Sequence, residues 1–427
     1  MIRFYNARVL TMEEGRDLFD GEVWTEGSKI IYVGPEKKPS DEELKHLERQ
    51  IDCKGNVLMP GFKNAHTHSG MTAMRSYADD LPLAEWLNTK IFPMEGNMTG
   101  EDVYELSRLA VLEYLTSGVT ACFDMYLTPD TISQCAMDTG MKIIQVSGIN
   151  KFGPTLEVLE DRYKRLNGQS PLTGFRLGFH AEYTCDLDLL KAISEMAHKY
   201  EQPLFAHNSE TASEYKECLD RYGMTPTELM DSLGMFDYGG GGFHCCYFND
   251  HDIEIFKKRG LTAVTCPGSN LKLASGIAPI QKFLDAGVRV AIGTDGPSSN
   301  NCLDMFREMF LVTGLSKVVT KDASATDALD VLKMATVNGA IAMGLNDADV
   351  LACGKEADII LIDLHQPNMQ PLNNIVKNIV YSGSKSNVGL TMIHGRILYE
   401  NGEFFIGTDP EEIYRKSNEI IEKLSKM

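Results

Sequence analysis

The chain of 427 residues is too long for one small domain and suits a barrel of roughly 250 residues with an accessory domain. Hydrophobic residues make up 43% and charged residues 24%, with ordinary glycine and proline counts, which excludes a disordered or fibrous protein. A formal net charge of -19, with lysines and arginines scattered rather than gathered in a basic block, argues against any nucleic-acid partner. No apolar run reaches the ~18 residues that span a bilayer, so no membrane partner is expected. The opening MIRFYNARVLTMEEG lacks the basic start and apolar stretch of an export signal, and a cytoplasmic setting is expected. The ten cysteines include no CxxC pair and are therefore expected to be reduced; adjacent Cys245 and Cys246 read as small buried packing residues.

In chain order, IRFYNARVLTM and EVWTEGSKIIYVG read as short strands with alternating faces and turn residues between them. After the charged stretch Pro39 to Gln50, NVLMPGFKNAHTH reads as an apolar strand ending in polar residues. From here strands and helices alternate. The strand cores are VLMPGF, TACFDM, KIIQVSGI, FRLGFHA, PLFAHNS, GGFHCCY, LTAVTC and VRVAIGTD, bridged by helical stretches such as DVYELSRLAVLEYLTSG. That rhythm predicts a (β/α)8 barrel, with a doubly wound sheet as the alternative. Past residue 350 the β pattern resumes with ADIILIDL and VGLTMIHGRILYENGEF, and a charged helix runs to Met427. The predicted architecture is α/β: a (β/α)8 TIM-like barrel over 58–349, and a small composite β-sandwich domain from 1–57 and 350–427, including the terminal helix.

Five of the ten histidines fall at predicted strand ends: His66, His68, His180, His207 and His244. Side chains two apart on a strand share a face, so His66 and His68 can aim at one ion. Asp295, flanked by Gly293 and Gly296, follows VRVAIGT at the end of the last strand, where barrel enzymes place catalytic groups. Imidazole and carboxylate suit zinc, and a catalytic zinc keeps an open position for water. His66, His68, His207 and Asp295 are therefore the expected metal ligands, although iron, manganese or nickel suits the same atoms.

HTH after a strand, the spacing from His207 to Glu210, the strand-end His244 and the GTDG run around Asp295 together resemble the amidohydrolase superfamily. More narrowly, PGFKNAHTHSGMTAMRSYADDLPLAEWLNTKIFPMEG is similar to deaminases of 5'-methylthioadenosine and S-adenosylhomocysteine, kin to chlorohydrolases and guanine deaminases. The resemblance implies a composite β domain holding both chain ends. It also implies a metal-dependent hydrolytic deaminase that converts an adenine nucleoside to the inosine analogue with release of ammonia. The nucleoside would be 5'-methylthioadenosine, S-adenosylhomocysteine, adenosine or 5'-deoxyadenosine; the alternative is another amino-heterocycle of guanine, pterin, cytosine or triazine type. Binuclear relatives carry a carbamylated lysine on a middle strand, whereas FRLGFHAEYT offers His180 and no lysine, so one Zn2+ per subunit is expected.

In such a site Asp295 would accept the proton of the attacking water and His244 would steady the developing oxygen. Glu210 would protonate the ring nitrogen, and a non-catalytic barrel would not need these three together. The resemblance further implies that Glu95 binds ribose hydroxyls, His180 contacts the substrate and Trp86 packs near the nucleoside. Relatives that accept S-adenosylhomocysteine carry an arginine after the third strand; here Thr155 takes its place, and Arg162 and Arg165 fall further along a helix. Loss of that guanidinium is expected to favour the substrates without an amino acid tail. The expected partner is thus a small molecule, and barrels of this kind often associate as homo-oligomers.

Overall fold

The computed structural model describes residues 1–81 and 83–426; Pro82 and Met427, the latter the predicted end of the last helix, lie outside the described residues. Eight parallel strands pair in sequence order: Phe62–Thr67, Val119–Asp124, Lys142–Val146, Thr173–Ala181, Leu204–Asn208, Gly240–His244, Thr262–Thr265 and Arg289–Ile292. Most are buried on both faces, as parallel strands covered by helices must be, which explains their near-continuous apolar runs. Inside the barrel Phe123, Phe205 and Phe243 belong to one apolar cluster, with Phe123 and Phe205 edge to face at 5.0 Å. Phe243 forms the floor on which the ring of His66 stacks at 3.9 Å.

The eighth and first strands meet through specific groups that close the barrel. Asn64 donates to the Thr294 hydroxyl at 2.7 Å and accepts the Thr294 N–H at 2.9 Å, while the Asp295 N–H donates to the His66 carbonyl at 3.0 Å. Gly293 allows this approach, because a Cβ there would stand 2.7 Å from the His66 nitrogen. Barrel closure thus carries Asp295 to the histidines.

The first barrel strand differs from the predicted VLMPGF. Val57–Pro60 belongs to a second sheet, and the barrel strand begins after Gly61 at Phe62. Both segments are wholly buried, so no change in hydrophobic period marks the break.

The second sheet is mixed and has nine strands from both chain ends. Its order is Glu403–Phe404, Arg396–Glu400, Val388–Ile393, Ile359–Ile362, Val57–Pro60, Ile2–Val9, Phe19–Glu26 and Lys29–Gly34, with Arg49–Asp52 paired to Ile2–Val9. The two ends are joined where Val57–Pro60 runs antiparallel to Ile359–Ile362. Phe4, Val9, Val23, Leu58, Ile359 and Met392 form part of its core. The charged stretch before it folds as a short helix, Asp41–His46, started by a capping box between Ser40 and Glu43.

Between this sheet and the barrel lies a buried charge network. Lys142 Nζ contacts Glu356 and Asp358 at 2.6 Å each, and Lys63 Nζ lies 3.8 Å from Asp358. Burial holds Lys63 down to about 8. Asp358→Ala would leave buried Lys63 without a carboxylate and Lys142 with Glu356 alone, and is expected to cost ~3–5 kcal/mol of stability. A urea midpoint equal to that of the parent would refute this.

The terminal helix Pro410–Leu424 packs on the helix Gly100–Thr116, with Lys423 2.6 Å from Asp102 and Lys416 2.8 Å from Glu105. Its Ile420 and Leu424 share an apolar cluster with Met71, Met74, Trp86 and Met94. It therefore backs the segment that walls the cavity described next. No helix among the described residues is long and apolar enough to cross a membrane.

Candidate active site

The C-terminal ends of parallel strands in one barrel share a rim, and the strand-end polar residues converge there. His66 is the last residue but one of the first strand and His68 follows two residues later, so both rings face inward with centroids 4.8 Å apart. His207, on the fifth strand, donates from Nδ1 to the His180 carbonyl at 2.6 Å, and His68 Nδ1 is hydrogen-bonded to the Met125 carbonyl. With their Nδ1 protons so engaged, both rings turn Nε2 towards the centre. There His207 Nε2 stands 3.2 Å from His66 Nε2, and Asp295 Oδ1 lies 3.1 Å from His68 Nε2 and 3.6 Å from His66 Nε2.

Imidazole lone pairs and a carboxylate oxygen crowded in a buried site repel unless a cation sits among them. The donor set therefore fits a metal ion. Burial holds His66 and His207 well below the usual histidine range, which keeps them neutral, as ligands must be. Against burial, the hydrogen bond and charge of Asp295 raise His68 to about 9, and His68 in turn holds Asp295 well below the usual carboxylate range; a metal ion between them would take the place of the His68 proton. His66, His244 and Asp295 also offer ligand atoms within 4.8 Å of one another.

Asp295 adopts a left-handed backbone at φ 58°, and its Oδ2 accepts from Ser269 at 2.5 Å and Ser299 at 2.7 Å. These bonds leave Oδ1 for the histidines. His244, also left-handed at φ 71°, is hydrogen-bonded at Nδ1 to Asn270 Oδ1 at 2.8 Å, so Nε2 faces Glu210 Oε2 3.8 Å away. Glu210 lies just past the fifth strand, buried, and accepts from Ser275 Oγ at 2.7 Å.

A cavity of about 380 Å³ opens over this group. Trp86, Glu95, His180, Glu210, His244 and Asp295 all line it, so it gathers the residues singled out from the sequence except for the more deeply set His66. Burial pushes the Glu95 carboxyl up to about 7, against a hydrogen bond from Tyr126. Burial pushes His180 down to about 4, and its Nδ1 lies 3.1 Å from the Thr184 hydroxyl.

Arg162 departs from the expectation. The helix Leu156–Leu166 turns it onto the cavity wall, half-buried, while Arg165 is taken up by Asp130 and Asp161. Among the described residues no hydrogen bond or ion pair reaches the Arg162 guanidinium. Thr155, at the N-cap of that helix, is absent from the lining.

Sequence reasoning missed Ser269, Asn270, Ser275, Ser299 and Glu214, which hydrogen-bond Asp295, His244 or Glu210. For Ser269, Asn270 and Ser299 the signal was present as small polar runs after strands, PGSN and GPSSN, whereas no such run marks Ser275 or Glu214. Cys245 and Cys246 are buried and free, with thiols pushed up by burial, in keeping with packing.

A sequence profile described as "Amidohydrolase family" matches residues 57–398. The chain is 38% identical to a 5-methylthioadenosine/S-adenosylhomocysteine deaminase of Caldicellulosiruptor saccharolyticus, over 98% of this chain and 97% of that protein. It is 37% identical to a 5'-deoxyadenosine deaminase of Methanosarcina acetivorans, with 98% and 97% covered. Among solved structures, an adenosine deaminase from Xanthomonas campestris with bound zinc superposes with a TM-score of 0.92 at 28% identity, covering 100% of this chain and 99% of that one. A zinc complex of an atrazine chlorohydrolase from Arthrobacter aurescens shares the fold, with a TM-score of 0.89 at 22% identity, over 99% and 100%. The matched profile and the full-length relatives, together with the strand-end histidines and aspartate at one barrel rim, show that this chain belongs to the amidohydrolase family.

Proposed function

We propose that this chain is a zinc-dependent deaminase of adenine nucleosides, with one ion per subunit held by His66, His68, His207 and Asp295. The observation that carries the reading is the approach of two imidazole Nε2 atoms and the Asp295 carboxylate, across one cavity from Glu210 and His244. The relatives named as deaminases support the substrate class. In the same reading 58–349 supplies the catalytic barrel, from Phe62 onward, and 1–57 with 350–427 form its accessory domain, which also takes in the strand Val57–Pro60.

When bound, the ion supplies the Lewis acidity that makes hydroxide available near neutral pH. Asp295 takes a proton from the attacking water, and Ser269 and Ser299 keep its other oxygen in place. His244 donates its Nδ1–H to Asn270 Oδ1 and, as the imidazolium, donates its Nε2–H to the oxygen as it gains charge. Glu210 protonates the ring nitrogen beside the attacked carbon, so the ring accepts the electron pair. The carbon–nitrogen bond to the amino group then breaks. The departing nitrogen takes the proton held by Asp295 and leaves as ammonia, and the new hydroxyl returns its proton to Glu210.

Glu95, paired with Tyr126 on the cavity wall, suits two ribose hydroxyls, and Trp86 and His180 flank the nucleoside. Arg162 changes the expectation drawn from Thr155. The Arg162 guanidinium, which among the described residues makes no hydrogen bond or ion pair, gives a 5' substituent bearing a carboxylate a partner on the wall, so S-adenosylhomocysteine joins 5'-methylthioadenosine, adenosine and 5'-deoxyadenosine as a substrate. Arg162→Ala is expected to raise KM for S-adenosylhomocysteine about 10- to 100-fold and to leave adenosine nearly unchanged. An equal rise for both would remove Arg162 from the tail site.

The whole reading is tested by ammonia release from zinc-loaded protein, with a chelated control, against these nucleosides, guanine and cytosine. Metal-dependent turnover of the adenine nucleosides is expected. Turnover of guanine or cytosine alone would move the substrate to another amino-heterocycle.

A further inference from the structure

Glu214 takes no part in the steps above, yet it is buried beside them and its carboxylate is committed to two backbone groups. It accepts the Ser209 N–H at Oε1, 2.9 Å away, and the Glu210 N–H at Oε2, 2.8 Å away. Glu214 lies in the first turn of the helix Ala212–Tyr222, where its own N–H donates to the N-cap hydroxyl of Thr211 at 3.1 Å. Between the strand end at Asn208 and this helix, Ser209 adopts φ 53°, a conformation disfavoured for any residue with a Cβ. Such a turn persists only where its surroundings over-determine it.

The Ser209 carbonyl also accepts the N–H groups of Cys246 and Tyr247, at 3.1 and 2.9 Å. The turn is therefore tied to the segment just after His244. The Glu210 side chain itself is held by the Ser275 hydroxyl, so its direction depends chiefly on where the main chain starts it.

We infer that Glu214 is a positioning residue for deamination: its carboxylate clamps the Ser209–Glu210 turn and so aims the Glu210 carboxyl between Ser275 and His244, towards the substrate ring. This rests on the reading of Glu210 as proton donor. A carboxylate that merely tidied the start of a helix would act on stability alone. One that aims a catalytic group acts on kcat and only through that group.

The test is a double-mutant cycle on the zinc-loaded full chain with E214Q, E210Q and the double variant, read by single-turnover ammonia release, KM, zinc content and melting temperature. E214Q is expected to lower kcat about 10- to 100-fold with KM and zinc content within about twofold. In the E210Q background the same substitution is expected to cost less than about twofold more, because the group being aimed has lost its proton. A parental kcat for E214Q, or the same fractional loss in both backgrounds, would overturn the clamp. If E214Q is not recovered folded, E214D keeps the charge but draws it back by one methylene. It is expected to lower kcat when Glu210 is present and to have little effect beside E210Q, and equal losses in the two backgrounds would again overturn the clamp. E210Q with parental kcat would instead sink the reading of Glu210, a result distinct from failure of the clamp alone.

Discussion

Asp295→Asn is expected to reduce turnover of the zinc-loaded protein by about a thousandfold or more, the product of a lost proton acceptor and a weakened metal site. The amide keeps the size of the carboxyl, and its oxygen can still accept from Ser269 and Ser299, so the fold should survive. What disappears is the charge that faces His68 at 3.1 Å and His66 at 3.6 Å. Zinc content by elemental analysis should fall in parallel, and excess zinc should not restore activity, because the amide does not take the water's proton. Retention of both bound zinc and at least a tenth of the parental kcat would refute the double role.

The second large effect is expected at Glu210. Glu210→Gln preserves the volume of the side chain and an oxygen for the Ser275 hydroxyl, but it has no acidic proton to give to the substrate ring. A fall of about 10²- to 10⁴-fold in kcat is expected, with KM and zinc content little changed. The contrast with Asp295→Asn is diagnostic: one variant loses metal and rate together, the other loses rate alone. Loss of zinc in the glutamine variant would move Glu210 from proton transfer to the metal site.

Much of this site is legible in the amino-acid sequence because parallel strands of one barrel present all their C-terminal ends on one rim. A polar residue after an apolar strand core is then already placed near every other such residue. That is why His66, His68, His207, His244 and Asp295 can be assembled from strand order, and why the spacing of His66 and His68 predicts a shared face. The family resemblance added Trp86, Glu95 and His180, and all three line the cavity.

Other features depend on contacts that no local pattern encodes. The break at Gly61 is invisible because Val57–Pro60 and Phe62–Thr67 are buried alike, although one joins the outer sheet and the other the barrel. In the sequence Arg162 reads only as a residue further along a helix, and only the lie of that helix against the barrel rim turns it onto the cavity. Glu214 reads as an ordinary acidic residue in a first helical turn, until the left-handed bend at Ser209 brings two backbone N–H groups to its carboxylate.

The sequence by itself therefore determined the barrel, its β-rich ends and the inward-facing donor residues, since strand period and strand order suffice for these. Tertiary structure alone decided which atoms of those donors meet, what holds them, and which distant side chains complete the cavity. Those are matters of a few ångströms, set by closure of the barrel between its eighth and first strands and by packing of helices on its rim.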